Sequence, residues 1–370
     1  MDIGIPKELR THEHRVALTP GGVKALTERG HRVYVETAAG GEAGHNDDDY
    51  RSAGATVVYA RDEVFARPEL LLGVAPPAPD EFKYLQPGQT VLAFWALPAA
   101  HAEDLRALMA REVTAIGLEV VQDEDGHAPA LAAMSEIAGS LSVVIGAGLL
   151  LNEFGGKGIL LNGSPGVPPA NLVILGTGTL GRAAARTAVG IGAEVLMLDN
   201  DIAQLRRALM HMPHPVPTMI STPQNLERAL VFADLVIASP AQRGERAPLL
   251  ITRALLRKMK PRSVLMDLAI DMGGCCETSR PTSFPNPTYE AEGITHFCVP
   301  NLSTTVARSA TKALTNTVLP WVLDLVEEGT DVALARHAML RRGTYLHHGR
   351  CAMPSLCESF GLDVQPVGEA

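Results

Sequence analysis

Short apolar runs alternate along this chain with longer segments that carry the polar residues and most of the turn-forming glycines and prolines. Apolar runs of four to eight residues are typical of buried strands, and their alternation with helix-length segments is typical of βαβ units in a parallel sheet. The pattern therefore predicts an α/β fold. The predicted strands are residues 3–6, 31–36, 69–74, 90–95, 113–121, 172–175, 195–198, 235–238, 263–270 and 296–299.

Three helices are predicted from their boundary signals or their length. Thr19 is placed to cap a helix that has Pro20 at its first position. Residues 136–151 and 310–328 form the two longest apolar segments of helical character, and the last forty or so residues are predicted to be helix and tail. A chain of 370 residues is too long for one ordinary core, so two domains are expected.

The most specific motif follows the run at 172–175. Gly176, Gly178 and Gly181 form G-x-G-x-x-G at the start of a helix, and Asp199 ends the next apolar run. These glycines allow a tight turn, close approach to a pyrophosphate and close helix packing, while the acid can bond a ribose hydroxyl. Since a carboxylate repels a 2′-phosphate, the motif favours NAD(H) over NADP(H). The predicted cofactor-binding residues are Gly176, Gly178, Thr179, Leu180, Gly181, Asp199, Ser135 and Ser239.

Candidate substrate groups also follow predicted strands, where open parallel sheets bind their ligands. Arg15 lies in the loop after the first strand and could bind a carboxylate, although a solvated loop arginine is the commoner case. Asp271 precedes two glycines at a strand end and is a candidate catalytic group; a turn aspartate is equally consistent with the local sequence. Trp95 and Asn301 are further candidate substrate contacts, but a strand-end tryptophan is more often a core residue.

Composition and charge exclude several other functions. The net charge of -9 argues against a nucleic-acid surface, and the most apolar stretch, residues 141–151, is too short to span a membrane. The N-terminus lacks the apolar segment of a secretory signal, and five cysteines suggest no disulfide framework, so a reduced cytoplasm is expected. No metal site is predicted: there is no C-x-x-C, and His347 and His348 would point apart on a helix.

Several blocks, in order and spanning nearly the whole chain, resemble the alanine dehydrogenase family and, more distantly, the alpha subunit of proton-pumping nicotinamide nucleotide transhydrogenase. The blocks include IGIPKELRTHEHRVALTP, MSEIAG, GGKGILL, PGVPPANLVILGTGTLG, MDLAIDMGGCCETSRPT and ALTNTVLPWV. The resemblance implies two Rossmann-like domains, a doubly wound NAD-binding domain (131–305) inserted into a discontinuous substrate domain (1–130 and 306–370). It also implies a homo-oligomer built from dimers, possibly a hexamer.

The chain departs from this family at two positions that matter for catalysis. The family's catalytic lysine and histidine correspond here to Ala75 and Ala96, whereas its arginine and aspartate are present as Arg15 and Asp271. An alanine side chain can neither polarise a carbonyl nor transfer a proton, and loss of a positioned acid/base typically costs 10²–10⁴-fold in rate. Efficient alanine or pyruvate turnover is therefore not expected.

Three functions remain open from the sequence. The first is an NAD(H)-dependent oxidoreductase acting on another amino acid, 2-oxoacid or imine. The second is a catalytically silent NAD(H)-binding sensor or scaffold, since the fingerprint is intact beside the two alanines. The third is redox-neutral chemistry that uses bound NAD(H) catalytically.

Overall fold

The computed structural model describes residues 1–240 and 246–367. Its strands are β1 (Asp2–Ile5), β2 (Arg32–Glu36), β3 (Thr56–Val58), β4 (Leu70–Leu72), β5 (Thr90–Ala93), β6 (Thr114–Gly117), β7 (Asn171–Leu175), β8 (Glu194–Asp199), β9 (Thr218–Ile220), β10 (Leu235–Ala238), β11 (Val264–Asp267), β12 (Thr288–Ala291), β13 (Ile294–Phe297), β14 (Thr344–His347) and β15 (Arg350–Cys351). Its helices are α1 (Pro20–Thr27), α2 (Asp47–Ser52), α3 (Arg61–Ala66), α4 (Ala102–Met109), α5 (Pro129–Leu149), α6 (Thr179–Gly190), α7 (Ile202–Met210), α8 (Pro223–Phe232), α9 (Arg253–Leu256), α10 (Ala307–Glu328), α11 (Thr330–Arg336), α12 (Ala338–Arg342) and α13 (Pro354–Phe360).

The chain divides into two compact units, each organised around its own sheet. Unit 1 comprises residues 1–134 and 304–370, and unit 2 comprises residues 135–303. Among the described residues, the sheet of unit 1 has the order β15-β14-β6-β5-β4-β1-β2-β3, and that of unit 2 has the order β12-β13-β11-β10-β7-β8-β9. The predicted α/β class, with one doubly wound domain inserted into a discontinuous second domain, is confirmed.

Both sheets reverse their strand order at one point. In unit 1, β1 pairs in parallel with both β2 and β4. In unit 2, β7 pairs in parallel with both β8 and β10. Connections from these central strands run in opposite directions, so a crevice opens beyond their carboxyl ends, which is where open α/β sheets bind ligands. The topology thus identifies one candidate site in each unit.

The core of unit 2 shows why its strands read as continuous apolar runs. Leu172 and Ile174 belong to one buried hydrophobic cluster, whereas Val173 and Leu175 belong to another. Because successive strand residues point to opposite faces, both faces of this sheet are covered.

The boundary signals predicted one helix well and another less well. Thr19 caps α1, its side chain accepting a hydrogen bond from the Gly22 N–H. The long apolar helix α5, however, begins at Pro129 rather than at 136. Pro129 is itself a helix-start signal, and the small apolar residues after it continue the helix. The resulting 21-residue helix is long and apolar enough to cross a membrane. One such helix is weak evidence of a membrane span, because core helices of soluble proteins can have the same length and composition.

The C-terminal segment differs from the predicted helix and tail. β14 pairs antiparallel with β6 and with β15, adding a hairpin to the edge of the unit 1 sheet. The hairpin turn is His348-Gly349, and both residues have positive φ, as a type I′ turn requires. His347 and His348 therefore do not lie on a helix, and the geometric argument against them as a pair is wrong.

The cysteines also differ from the prediction. Cys351 and Cys357 form a disulfide with a Cα–Cα distance of 6.0 Å, linking β15 to α13. An odd total of cysteines says nothing about one local pair, and these two are only six residues apart in the chain. Cys275, Cys276 and Cys298 are free and buried.

Candidate nucleotide and substrate sites

The three glycines of the fingerprint occupy positions with different structural constraints. A Cβ on Gly176, whose φ is +92°, would lie 2.7 Å from the Ser239 carbonyl oxygen, and one on Gly181 would lie 1.9 Å from the Gly176 carbonyl oxygen. These two positions exclude side chains because protein backbone is already there. At Gly178, no described residue outside its immediate chain neighbours and its own helix comes within 4 Å of the Cβ position. A phosphate group can therefore approach the chain at Gly178, as the fingerprint predicts.

A cavity of about 340 Å³ opens at the reversal point of the unit 2 sheet. Its volume lies within the range typical of small-molecule sites. Its walls come from the carboxyl ends of β7, β8 and β10. The lining residues include Gly176, Gly178, Asp199, Gln204, Ser221, Ser239 and Pro240.

The Asp199 carboxylate is held firmly in this cavity. Its Oδ2 accepts hydrogen bonds from the Thr177 N–H (2.7 Å) and the Thr177 hydroxyl (2.9 Å), and its Oδ1 accepts one from the Asp201 N–H (3.0 Å). A carboxylate offers about four acceptor positions, so one on Oδ1 remains for a ribose hydroxyl. Thr179 and Leu180 begin α6, and their N–H groups belong to its first turn, which has no intrahelical acceptor.

Ser239 supplies an independent indication that a polar ligand fits here. Within the described part of the chain, its hydroxyl is buried and has no hydrogen-bond partner. A buried polar atom without a partner is costly, and a ligand in the adjoining cavity would satisfy it. The geometry thus fits a dinucleotide. Ser135 is half-buried on α5 and is not among the residues that line this cavity.

Asp271 and Asn301 come together in unit 2, although they lie thirty residues apart in the chain. The Asn301 N–H points at Asp271 Oδ2 over 3.4 Å. The loop that carries Asp271 is held by the fully buried Asp267, whose carboxylate accepts hydrogen bonds from the Ser279 hydroxyl (2.6 Å) and the Cys275 N–H (2.8 Å). The sequence pattern did not single out Asp267, because it lies in an apolar strand. Asp267 nevertheless holds the loop that carries Asp271.

The buried His296 of unit 2 is not placed to act as a catalytic acid or base. His296 is fully buried, with Nδ1 at 2.9 Å from the Ile294 carbonyl oxygen and Nε2 at 2.7 Å from the Thr278 hydroxyl. Burial lowers its pKa, which keeps the ring neutral. With both nitrogens engaged and the ring stacked on Tyr289, His296 is a structural residue.

Unit 1 has a larger cavity, of about 480 Å³, at its own reversal point. It lies where β1 and β4 end, between the loop after β1 and the proline-rich loop after β4. A smaller cavity of about 170 Å³ adjoins the same first loop. Residues shared by both cavities are Lys7, Glu8 and Arg10; Ala75 lines only the larger one, and His12, Glu13, His14 and Arg15 line only the smaller one.

Arg15 lines the smaller cavity with its best binding face already engaged. Its Nε and Nη2 donate to the two carboxylate oxygens of Glu13 over 2.7 and 2.6 Å. Its Nη1 points at Met134 Sδ, and the side chain is 5% exposed. This bidentate pair satisfies two charges that would be costly to bury separately. Arg10, which lines both cavities, forms no side-chain ion pair with any described residue.

Glu8 is a titratable group that contacts the backbone at Ala75. Its Oε1 accepts a hydrogen bond from the Val74 N–H (2.6 Å), and its Oε2 accepts a longer one from the Ala75 N–H (3.2 Å). Burial raises the pKa of Glu8 to about 7, with the negative charge of Glu13 adding to the effect and Arg15 opposing it. A carboxyl group with such a pKa can give or take a proton near neutrality.

The other alanine lies in a strained turn beside a core tryptophan. Ala96 has φ +48°, in the left-handed region, and its N–H donates to Glu119 over 2.7 Å. Burial raises the pKa of Glu119, which also accepts from the Tyr345 hydroxyl (2.9 Å). Trp95 is 5% exposed and packs in the core, with its indole N–H on the Val91 carbonyl oxygen, and it lines neither cavity of unit 1. We therefore assign it no substrate contact.

The sequence contained a signal for the residues that were missed. Glu8 and Arg10 lie in the same loop after β1 as Arg15, and the ligand-binding rule for parallel sheets applies to the whole loop. What the sequence could not supply was the contact of Glu8 with the backbone of Val74 and Ala75, over sixty residues away.

Comparisons with known proteins agree over nearly the whole chain. The family model described as "Alanine dehydrogenase/PNT, N-terminal domain" matches residues 4–138, and "Alanine dehydrogenase/PNT, C-terminal domain" matches residues 142–354. Among curated proteins, an alanine dehydrogenase of Mycolicibacterium smegmatis is 41% identical, covering 98% of this chain and 97% of the relative. An alanine dehydrogenase of Halomonas elongata is 42% identical, covering 98% of each chain. A solved structure of an L-alanine dehydrogenase superposes with a TM-score of 0.93 at 40% identity, covering 98% of this chain and 99% of that one.

Proposed function

We propose that this chain is an NAD(H)-dependent oxidoreductase that acts on a carboxylated amine, 2-oxoacid or imine other than alanine and pyruvate. The chain belongs to the alanine dehydrogenase/PNT family, whose alanine dehydrogenases use NAD(H). The observation that carries the substrate proposal is the 480 Å³ cavity, where Ala75 faces the space and Glu8 adjoins it. Such a volume far exceeds what a three-carbon acid fills.

The nucleotide is proposed to bind in the 340 Å³ cavity of unit 2. Gly178 leaves room for the pyrophosphate beside the first turn of α6, Asp199 would accept a ribose hydroxyl, and Ser239 would gain a partner. The nucleotide, when bound, supplies or accepts the hydride. Asp199 disfavours a 2′-phosphate, so NADH is expected to bind more tightly than NADPH.

Glu8 is proposed to transfer the proton, because the side chains of Ala75 and Ala96 cannot do so. Reduction of a neutral C=N bond adds a hydride to carbon and a proton to nitrogen, and the protonated Glu8 would supply that proton. Oε2 would carry it, because Oε1 already accepts the shorter backbone bond. Imine reduction needs fewer proton transfers than reductive amination of an oxoacid, which suits a site without histidine at position 96.

Substrate carboxylate binding is assigned to the basic loop after β1. Arg10 offers an arginine side chain at the wall of both cavities, whereas Arg15, which lines the smaller cavity, has its charge offset and its bidentate face occupied by Glu13. In unit 2, Asp271 is the proposed ionisable group and Asn301, whose backbone N–H faces the Asp271 carboxylate, is a proposed substrate contact. We also propose a homo-oligomer built from dimers, as the family resemblance implies.

The test follows NADH oxidation by the full-length protein with a substrate panel. Pyruvate plus ammonium is compared with larger 2-oxoacids plus ammonium and with preformed cyclic imines that carry a carboxylate. We expect turnover with a larger substrate and, with pyruvate, a rate lower by roughly 10²-fold or more. Turnover of pyruvate at a comparable rate would refute the proposed specificity.

Two variants locate the chemistry. Glu8→Gln should lower kcat and remove the ionisation near neutral pH from the kcat/KM profile, whereas Arg10→Ala should chiefly raise KM for the carboxylate. The matched control is Glu124→Gln, an exposed carboxylate that lines neither cavity. An unchanged pH profile in the Glu8→Gln variant would exclude Glu8 as the proton-handling group.

A second function, a silent NAD(H)-binding sensor, is favoured by two observations. The nucleotide cavity keeps every fingerprint residue, while the bidentate face of Arg15 is closed by Glu13. This alternative predicts NADH binding by calorimetry with no turnover anywhere in the panel, and that result would replace the enzyme proposal.

A further inference from the structure

Three side chains of types that can bind metal ions converge at one edge of unit 1, and none of them lines the 480 Å³ or the 170 Å³ cavity. His347 Nε2 lies 2.9 Å from Asp331 Oδ1, and His348 Nε2 lies 3.0 Å from the same oxygen. The two imidazole rings are 4.4 Å apart between centroids. The candidate donor atoms of all three residues lie within 4.8 Å of one another.

The backbone explains how two adjacent histidines face the same point. His347 is the last residue of β14, and His348 has φ +48° as the first residue of the type I′ turn. In a continuous strand their side chains would point to opposite faces, but the left-handed turn residue redirects the second ring toward the first. The turn is therefore the reason that the pair can act together.

All three side chains stand on fixed elements. The turn is held to β6 and the residue before it, because the His348 N–H donates to the Thr114 hydroxyl (3.2 Å) and the Gly349 N–H donates to the Val113 carbonyl oxygen (2.8 Å). Asp331 lies in the first turn of α11, where the neighbouring Thr330 hydroxyl is 2.7 Å from that of Thr90 in β5. Ligands held in this way need little reorganisation to bind an ion.

The two nitrogen–oxygen spacings are close to those around a tetrahedral ion. Zinc binds imidazole nitrogen at about 2.0 Å and carboxylate oxygen at about 2.0–2.2 Å, which places neighbouring donors roughly 3.3 Å apart. The two nitrogen–oxygen distances need to lengthen by only a few tenths of an ångström to reach this value. Imidazole donors favour zinc and similar transition metals over magnesium and calcium, which prefer all-oxygen sites. The Asp331 side chain is 66% exposed, so water can complete the coordination.

We propose that Asp331, His347 and His348 form a binding site for a divalent transition-metal ion of the zinc class, which clamps the β14–β15 hairpin to the start of α11. The site is independent of the proposed oxidoreductase function. In the absence of the ion, the two rings donate hydrogen bonds to Asp331. With the ion, both Nε2 lone pairs and the carboxylate face it instead.

The experiment titrates Zn²⁺ into the chelator-treated, tag-free full-length protein against a chromophoric competitor. The central variant is His348→Asn, because asparagine tolerates the left-handed conformation and Asn-Gly favours the same turn. We expect one high-affinity Zn²⁺ per chain in the wild type and an affinity at least about 10-fold lower in His348→Asn, by analogy with the loss of a second-shell group. Zn²⁺ should also raise the Tm of the wild type more than that of the variant.

The matched control is His127→Ala. His127 is an exposed histidine beside one carboxylate, Asp123, at 3.8 Å, and it belongs to no cluster of three candidate metal ligands among the described residues. The His127→Ala variant should bind Zn²⁺ with the same affinity as the wild type. The proposal is overturned if His348→Asn, folded as judged by its Tm without metal, binds Zn²⁺ as tightly as the wild type. It is also overturned if Mg²⁺ displaces Zn²⁺ at equal concentration.

Discussion

At the scale of single residues, the raised pKa of Glu8 predicts how the stability of the folded chain depends on pH. This prediction is separate from the proposed role of Glu8 in catalysis. Its pKa rises from an ordinary 4.5 to about 7 in the folded chain. Between these values the folded chain keeps a proton that the unfolded chain has released, so raising the pH through this window lowers the stability. Below the window both states are protonated, and above it both are ionised.

Glu8→Gln removes this titration. The free energy of unfolding of the variant relative to the wild type should therefore increase from pH 4.5 to pH 7 and then level off, by at most about 3 kcal/mol. Urea denaturation at several pH values measures this difference. Exposed Glu124→Gln should track the wild type, and a parallel pH dependence in Glu8→Gln would show that the Glu8 pKa is not raised.

Ala96 carries a backbone cost that glycine would not. For an L-residue the left-handed region costs roughly 1 kcal/mol or more, part of which glycine loses again through the greater freedom of its unfolded state. Ala96→Gly should therefore raise the free energy of unfolding by about 0.5 kcal/mol. Ala93→Gly, at the buried last position of β5, should lower it by about 0.5–1 kcal/mol. A decrease in both variants would mean that Ala96 is not strained.

At the scale of elements, the turn from β7 into α6 separates folding from binding. Gly181→Ala places a methyl group against the Gly176 carbonyl and should lower the free energy of unfolding by about 1–3 kcal/mol. Gly178 has an extended backbone (φ −60°, ψ −170°) and open space around it, so Gly178→Ala should leave stability within about 0.5 kcal/mol.

NADH binding, unlike stability, should be weakened by Gly178→Ala. The added methyl group at Gly178 occupies the space proposed for the pyrophosphate, so NADH affinity should fall by roughly tenfold, or about 1.4 kcal/mol. Calorimetry on the folded variant measures it. If Gly178→Ala binds NADH like the wild type, the pyrophosphate does not approach the chain at this residue.

The elements also explain how far the sequence could be read. The strands at the centres of both sheets were predicted because burial on two faces makes them continuous apolar runs, as in Leu235–Ala238. The edge hairpin at His347 was missed, because a four-residue strand followed by two turn residues has too little periodicity to be distinguished from a helix end. Asp271 was singled out as a candidate by the glycines that follow it, whereas the raised pKa of Glu8 depends on burial and on contacts distant in sequence.

At the scale of the whole molecule, the same topological rule applies in both units. Each sheet reverses its strand order beside its first central strand, β1 or β7, and each has a cavity beyond that point. Unit 2 keeps the groups that its cavity needs for a nucleotide. Unit 1 has a cavity at the same place in its topology, but alanines stand at positions 75 and 96, where the family resemblance predicts a lysine and a histidine.

This difference predicts that alanine chemistry can be restored without rebuilding the fold. The double variant Ala75→Lys/Ala96→His returns a charge that polarises a carbonyl and a group that titrates near neutral pH, both on an intact backbone. We expect alanine-dependent NAD reduction to rise by about 10²–10⁴-fold over the wild type, measured as NADH formation. Turnover of the larger substrate should fall, because the new lysine side chain occupies part of the 480 Å³ cavity that Ala75 lines.

The matched control is Ala75→Met/Ala96→Gln, which adds similar bulk without either proton-handling group. It should lose the larger substrate in the same way but gain no alanine activity. If the Lys/His variant folds, binds NADH and is no more active on alanine than this control, then the two alanines are not what separates this chain from its relatives. The difference would then have to lie in the loop after β1, where Glu13 engages the bidentate face of Arg15.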